Sequence, residues 1–452
     1  MGVHSLRASK GLLRSSFRTL ACWSACIISA LVPAGGQTFK VLYALPANFV
    51  GQSSGKLTEV TPGIFFGISQ RGIFAVNGSG GGQIVKAFTT DMGYPVGQFV
   101  QGVSGLLYGV TLGGGGNGAG SLFSSDFAGN LTTLVSFSSG THYAFPLIEA
   151  ADFNFYGVQA NGTSIFYKAG PSGGFTVLHQ FDPATEGFPI GPVVQNSDGN
   201  FYGVSYTPYS SNSDSLIYKI TPGGSLTPVV AFPQSAGRAG GALLRATNGN
   251  FYGTTWGGGC SGTIFSLTPA GVLTNLVTGG LCQPTSLIQA SDGNIYGAST
   301  FNPVPGGGEA PYGIVFRLPL NGGAIAPVFT FAANLSQGLA PASLMQGSDG
   351  KLYGVTSSGL GAVFSLDLNL PKPQPIVSFF FPGRGAVGSG VVISGVNLLS
   401  PVRVSFGGVP AQFASRGANY LVAVVPPGAA TGPITVTTQN GSVASQNPFT
   451  VQ

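Results

Sequence analysis

The chain has 452 residues, of which 43% are hydrophobic, 7% are charged and 74 are glycine, a balance that excludes a disordered polyelectrolyte and suits tight-turned β structure. Its formal net charge of +5 falls to +1 once residues 1–36 are set aside, because these hold Arg7, Lys10, Arg14 and Arg18 and no acid, leaving 14 Lys and Arg against 13 acids. No basic run remains to track a phosphate backbone, so nucleic acid is excluded as a partner.

The first element is the N-terminal segment itself. Its basic residues precede an apolar stretch from Leu20 to Val32 and the small-residue end Ala34-Gly35-Gly36. That is the pattern of a secretory signal peptide over residues 1–36, too short for a comfortable membrane span. It predicts export to the cell envelope or the extracellular space, with no span left after removal. Cys22 and Cys26 leave with it, so the exported part keeps Cys260 and Cys282.

From residue 37 the chain repeats. Tyr-Gly recurs at Tyr108, Tyr156, Tyr202, Tyr252, Tyr296 and Tyr353, with a degenerate copy at Phe66-Gly67, in steps of 42, 48, 46, 50, 44 and 57 residues. Around each anchor stand a turn such as SDGN, the Tyr-Gly strand, a Gly-rich loop, a strand like GTIFSL, a second turn and a strand like LTNLV. Four short strands per unit at this period predict a β-propeller over residues 37–368, with seven four-stranded blades. The last unit reads one strand short, and residues 38–45 resemble the missing one, so that segment is expected to close the ring and remove its free edges.

The turns at Ser197–Asn200, Ser291–Asn294 and Ser348–Lys351 place Asp and Gly where a tight hairpin needs them. Each offers one carboxylate, too few for a calcium loop. The glycine after each tyrosine is expected to admit a neighbouring ring or backbone, or a bulge. Gly113 to Gly116 and Gly257 to Gly259 lack the Gly-Lys-Ser/Thr ending of a phosphate loop. Cys260 and Cys282 flank a hairpin whose turn is Pro269-Ala270-Gly271, so they should face each other across it. In an oxidising compartment they are expected to form a disulfide, worth on the order of 3 kcal/mol.

Catalytic residues are sparse. The exported part has two histidines, His142 and His179, no HExxH and no GxSxG, so neither a zinc site nor a hydrolase elbow is predicted. His179 reads as a packed or edge residue. A glycosidase needs two converging carboxylates, and Asp182 or Glu186 with Glu149 is a pair the ring could bring together. The loops after the Tyr-Gly strands and those between units share one face. They carry His142, Tyr143, Tyr94, Tyr209, Trp256, Phe301 and Tyr312, a set suited to stacking on a sugar or holding a peptide, or else to covering strand ends. Ligand-binding candidates are therefore Trp256, Tyr209, His142, Tyr143 and Tyr312, with no catalytic residue, metal or cofactor assigned.

The run Phe251-Tyr252-Gly253-Thr254-Thr255-Trp256-Gly257-Gly258, followed by Gly262-Thr263-Ile264-Phe265-Ser266-Leu267, resembles the GloVer-type tandem repeat of choice-of-anchor exported bacterial proteins. The likeness covers residues 38–368 and implies an exported propeller-like array of undefined activity. A Pro-rich linker, residues 369–375, then changes the texture. Pro375-Ile376-Val377-Ser378, Val391 to Leu398, Val404 to Ala411, and Val425-Pro426-Pro427-Gly428 with Thr431 to Val436 are similar to an IPT/TIG domain over residues 376–452. That likeness implies an immunoglobulin-like β-sandwich of the kind seen in adhesion and spacer modules. The expected function is non-enzymatic: binding of an extracellular glycan or protein, or a structural role in the envelope. The alternative is a carbohydrate-active hydrolase or lyase with carboxylates at the channel.

Overall fold

The computed structural model describes residues 37–46, 49, 55–138, 143–160, 163–207, 215–232, 238–256, 262–304, 308–310, 313–331, 339–358 and 361–452. Among these a 3-10 turn stands at Thr90–Met92, and no helix is long and apolar enough to cross a membrane.

The Tyr-Gly strand is the second strand of each antiparallel sheet. In one, Tyr94–Gln101, Leu107–Leu112, Ser121–Ser125 and Leu131–Ser136 pair in chain order. Three later repeats break their first strand in two, as in Tyr143–Ala144 and Ile148–Glu149, or Phe188–Pro189 and Val194–Gln195. Pro146 and Pro192 sit in two of the breaks, where a residue without an N–H cannot continue the ladder. The strand Leu273–Gln289 runs on from one repeat into the next, joining two repeats into one sheet.

Both halves of the Tyr-Gly signature have a packing cause. Each glycine lies directly opposite an aromatic residue of the third strand, as in Gly109 opposite Phe123 and Gly157 opposite Tyr167. A Cβ on Gly109 would stand 2.9 Å from the Phe123 ring, so the ring takes the space a side chain would need. Each tyrosine reaches the next repeat: Tyr108 meets Phe155 at 4.2 Å between ring centroids, Tyr156 meets Phe201 at 4.5 Å and Tyr202 meets Phe251 at 4.4 Å. Tyr353 meets Phe65 at 4.1 Å, which welds the last repeat to the first by the same contact. There too Thr38–Ala44 pairs antiparallel with Ala362–Asp367.

The C-terminal domain packs one sheet (Ile376–Phe381, Gly390–Val396, Tyr420–Val424, Phe413–Ser415) on a second built from Pro401–Phe406, Gly432–Thr438 and Gly441–Val451. Val391, Ile393, Phe406, Leu421, Ile434 and Phe449 fill the space between them.

Candidate functional site

Where the turn preceding an anchor tyrosine carries an aspartate, the turn consumes that carboxylate; before Tyr108 and Tyr252 the turn partners are Ser104 and Asn248 instead. In Asp292, Oδ1 accepts the Asn294 N–H at 3.1 Å and Oδ2 accepts the Tyr296 hydroxyl at 3.0 Å. Asp198 and Asp349 do the same with Asn200 and Tyr202, and with Lys351 and Tyr353. The tyrosine therefore ties its turn down as well as stacking on its neighbour. Among the described residues no group of three or more His, Cys, Asp and Glu side chains is placed to hold a metal ion.

A second belt links the repeats, and the sequence reading missed it. The residue ending each first strand reaches back to the preceding turn. Gln195 Oε1 accepts the Ala151 N–H, Gln289 the Thr247 N–H, Gln346 the Ser291 N–H and Glu149 the Val103 N–H. Glu59 accepts the Ser348 N–H at 2.8 Å and so carries the belt across from the last repeat to the first. Gln101 departs: its Oε1 accepts the Ala418 N–H of the C-terminal domain. The signal, a Gln or Glu six residues before the residue that precedes an anchor tyrosine, is present in every repeat but that of Tyr252, where Arg245 stands instead and its Nε donates to Asn196 Oδ1 at 2.8 Å; it is unremarkable without the geometry.

The C-terminal domain sits on this turn-bearing end of the sheets. Asn440 Nδ2 donates to the Ser348 carbonyl at 2.9 Å. Where other turns place glycine, as at Gly199 with φ 81 and Gly293 with φ 82, the turn after Glu149 places Phe153 at φ 60. A phenylalanine is strained there. Its ring packs on Phe379, Phe381 and Tyr420 of the C-terminal domain, with centroids 5.6 to 6.4 Å away. A cleft of about 520 Å³ lies along this contact, lined by Gln101, Ser104, Phe127, Ser400 and Arg416 among others.

Trp256 lies at the opposite end of its six-residue strand. It was expected in a loop, and the structure corrects this: it is the last residue of Phe251–Trp256, paired with Arg238. Tyr94, Tyr143 and Phe301 are likewise strand residues, paired with Leu112, Ala160 and Cys282. The first strands extend further than their broken sequence suggests, and they draw these positions into ladders. Trp256 is 49% exposed, and its indole N–H donates to the Pro284 carbonyl at 3.1 Å. One repeat earlier, Tyr206 occupies the equivalent place, four residues after its anchor tyrosine. The Arg238 guanidinium lies 4.0 Å from the centre of the Tyr206 ring and makes no ion pair among the described residues. Tyr206, Arg238 and Trp256 thus form a row of two aromatic rings and a cation on the end of the sheets away from the C-terminal domain. The sequence reading named Trp256 and overlooked the other two. His142, Tyr209, Tyr312 and Cys260 lie outside the described residues. Cys282 is fully buried.

The acidic candidates do not converge. Glu186 Oε2 accepts the Asp182 N–H at 2.9 Å and lies 2.8 Å from His179 Nε2, and Asp182 accepts from Ala184 N and Thr185 Oγ1. These groups brace one connection between repeats. Glu149 belongs to the turn-bearing end, against Val103 and Tyr420, where burial pushes its carboxyl up to about 7.

The model of the Gloeobacter/Verrucomicrobia repeat matches residues 46–261 and 193–399, and that of the IPT/TIG domain matches residues 375–451. No curated protein matches the chain. Among solved structures, the extracellular domain of a hybrid two-component system from B. thetaiotaomicron is 11% identical, with a TM-score of 0.52 over 92% of this chain and 60% of that one. The WD40 β-propeller domain of Doa1 is 10% identical, with a TM-score of 0.48 over 74% of this chain and 98% of that one. At such identities the likeness concerns the fold alone.

Proposed function

Since the chain belongs to the Gloeobacter/Verrucomicrobia repeat family and carries an IPT/TIG domain, we propose that it is an exported, non-enzymatic binding protein whose face opposite the IPT/TIG domain recognises an extracellular glycan. In this reading residues 1–36 are removed as a signal peptide, residues 37–368 form a seven-bladed ring, residues 369–375 are a linker, and residues 376–452 are the sandwich.

The observation that carries the reading is the Tyr206, Arg238 and Trp256 row. A half-exposed indole offers a flat apolar surface, the kind on which the C–H face of a sugar ring stacks. An arginine seated over a tyrosine ring and making no ion pair among the described residues is pre-oriented to bond hydroxyl or acid groups beside that stack. His142, Tyr143, Tyr209 and Tyr312 are proposed to extend the site. A Cys260–Cys282 disulfide is proposed to brace the loop after Trp256. In its favour, Gly262, two residues after Cys260 in the sequence, pairs with Leu281, the residue before Cys282.

The test is a glycan array probed with the purified exported chain, with hydrolysis of each bound glycan followed in parallel. Binding without turnover, weakened at least tenfold by both Trp256→Ala and Arg238→Gln, is the expected result. Turnover of any bound glycan, or affinities unmoved by both substitutions, would overturn the reading.

A further inference from the structure

We infer that the seam between the repeat domain and the C-terminal domain is a proton-operated latch, closed while Glu149 is protonated and loosened when it is ionised. The geometry of the belt points to it. At the matching position Gln101, Gln195, Gln289 and Gln346 present a neutral amide, while Glu59 and Glu149 present a carboxyl. Glu59 has donors on both oxygens: Gly63 N and Ser348 Oγ on Oε1, and Ser348 N on Oε2. On Glu149, Val103 N donates to Oε1 at 3.3 Å, while Oε2 is buried without a hydrogen bond of ordinary length. A charged oxygen there is desolvated and unpaid by donors, whereas a protonated one carries no charge to desolvate.

What surrounds Glu149 comes from both domains. From its own repeat, Asp152 adds negative charge and is itself paired with Lys168 at 2.7 Å. From the neighbouring repeat, Tyr108 feels the Glu149 charge. From the C-terminal domain, the Tyr420 hydroxyl lies beside the carboxyl and is the donor that favours its ionised form. Burial dominates and raises the group from an ordinary 4.5 to about 7. Tyr420 is part of the covering surface, so undocking returns water to the carboxyl and lowers its affinity for a proton.

The sign follows by linkage. The docked form binds the proton more tightly, so docking is strongest below the ordinary glutamate range. It weakens as pH rises toward 7 and is weakest above it. Each unit of difference between the docked and undocked carboxyl is a tenfold change in the docking constant, so up to about a hundredfold is available. An opened seam uncovers the rings of Phe153, Phe379 and Tyr420.

The experiment is hydrogen exchange by mass spectrometry on the full exported chain at pH 5.5, 7.0 and 8.5, corrected for the chemical exchange rate. Protection of Tyr420–Val424 and of the 150–154 turn should fall at least tenfold between pH 5.5 and 8.5, while Phe251–Trp256 stays unchanged. Glu149→Gln, the residue type its neighbours already use, should hold the seam closed at all three values. Tyr420→Phe, which removes the donor to the ionised form, should move the midpoint to higher pH. A flat wild-type profile, the same fall in Glu149→Gln, or an unmoved midpoint in Tyr420→Phe would each overturn the latch.

Discussion

At the scale of single residues, the repeat is written in pairs whose partners lie on different strands. Gly253 stands opposite Phe265, whose ring occupies the place of a Cβ. Gly253→Ala should therefore destabilise the protein by about 1–3 kcal/mol through overpacking. Urea unfolding checks this, and an unchanged midpoint would show that the ring moves aside freely. Trp256→Ala is the opposite case. The side chain is half exposed and makes one hydrogen bond, to Pro284, so its loss should cost stability no more than about 0.5–1.5 kcal/mol. If Trp256 anchors a ligand, affinity should fall by more than about 1 kcal/mol. A large drop in Tm with unaltered binding would assign Trp256 to structure. Phe153→Gly should relieve the strained φ while removing a ring from the seam. We expect the repeat domain to keep its Tm and the C-terminal sheet to lose hydrogen-exchange protection.

At the scale of elements, the turns do two jobs, and substitutions separate them. Asp292→Ala removes the acceptor for both Asn294 N and the Tyr296 hydroxyl, which leaves a tyrosine with a mostly buried ring and no turn acceptor. About 1–3 kcal/mol of destabilisation is expected from that loss. Gln289→Leu removes the Nε2 bond to the Gly293 carbonyl of its own turn and also strands the Thr247 N–H of the preceding repeat. It should loosen exchange at the 246–250 turn as well as at its own, and loosening confined to 290–294 would contradict the belt. The proposed Cys260–Cys282 bridge belongs to this scale as well: thiol titration of the unfolded, unreduced exported chain should find no free thiol.

At the scale of the whole molecule, closure rests on contacts between the two ends of the repeat region. The Thr38–Ala44 pairing with Ala362–Asp367, the stacking of Phe65 on Tyr353 and the Ser348 N–H on Glu59 all span that junction. Deleting residues 38–45 bares the edge of Ala362–Asp367, and concentration-dependent aggregation of the exported chain is the expected outcome. Light scattering that stays monomeric and a Tm that does not fall would show that the other two contacts suffice.

The spacing of Tyr-Gly, the Asp-Gly turns and the alternating strands were enough to read an all-β repeat array followed by a sandwich, because these features follow from local geometry. A tight turn demands Gly and Asp within four residues, and a half-buried strand demands alternation, wherever the segment lies in space. The candidate site was only partly legible. Trp256 stood out by residue type, but Tyr206 and Arg238 gain meaning from being brought beside it by pairing between strands far apart in sequence. Phe153 and Glu149 look like ordinary lapses from SDGN and from Gln until the C-terminal domain is found resting on them. Which side chains share a surface depends on register, ring closure and domain docking. Those are set by contacts across tens to hundreds of residues, and only the tertiary structure decides them.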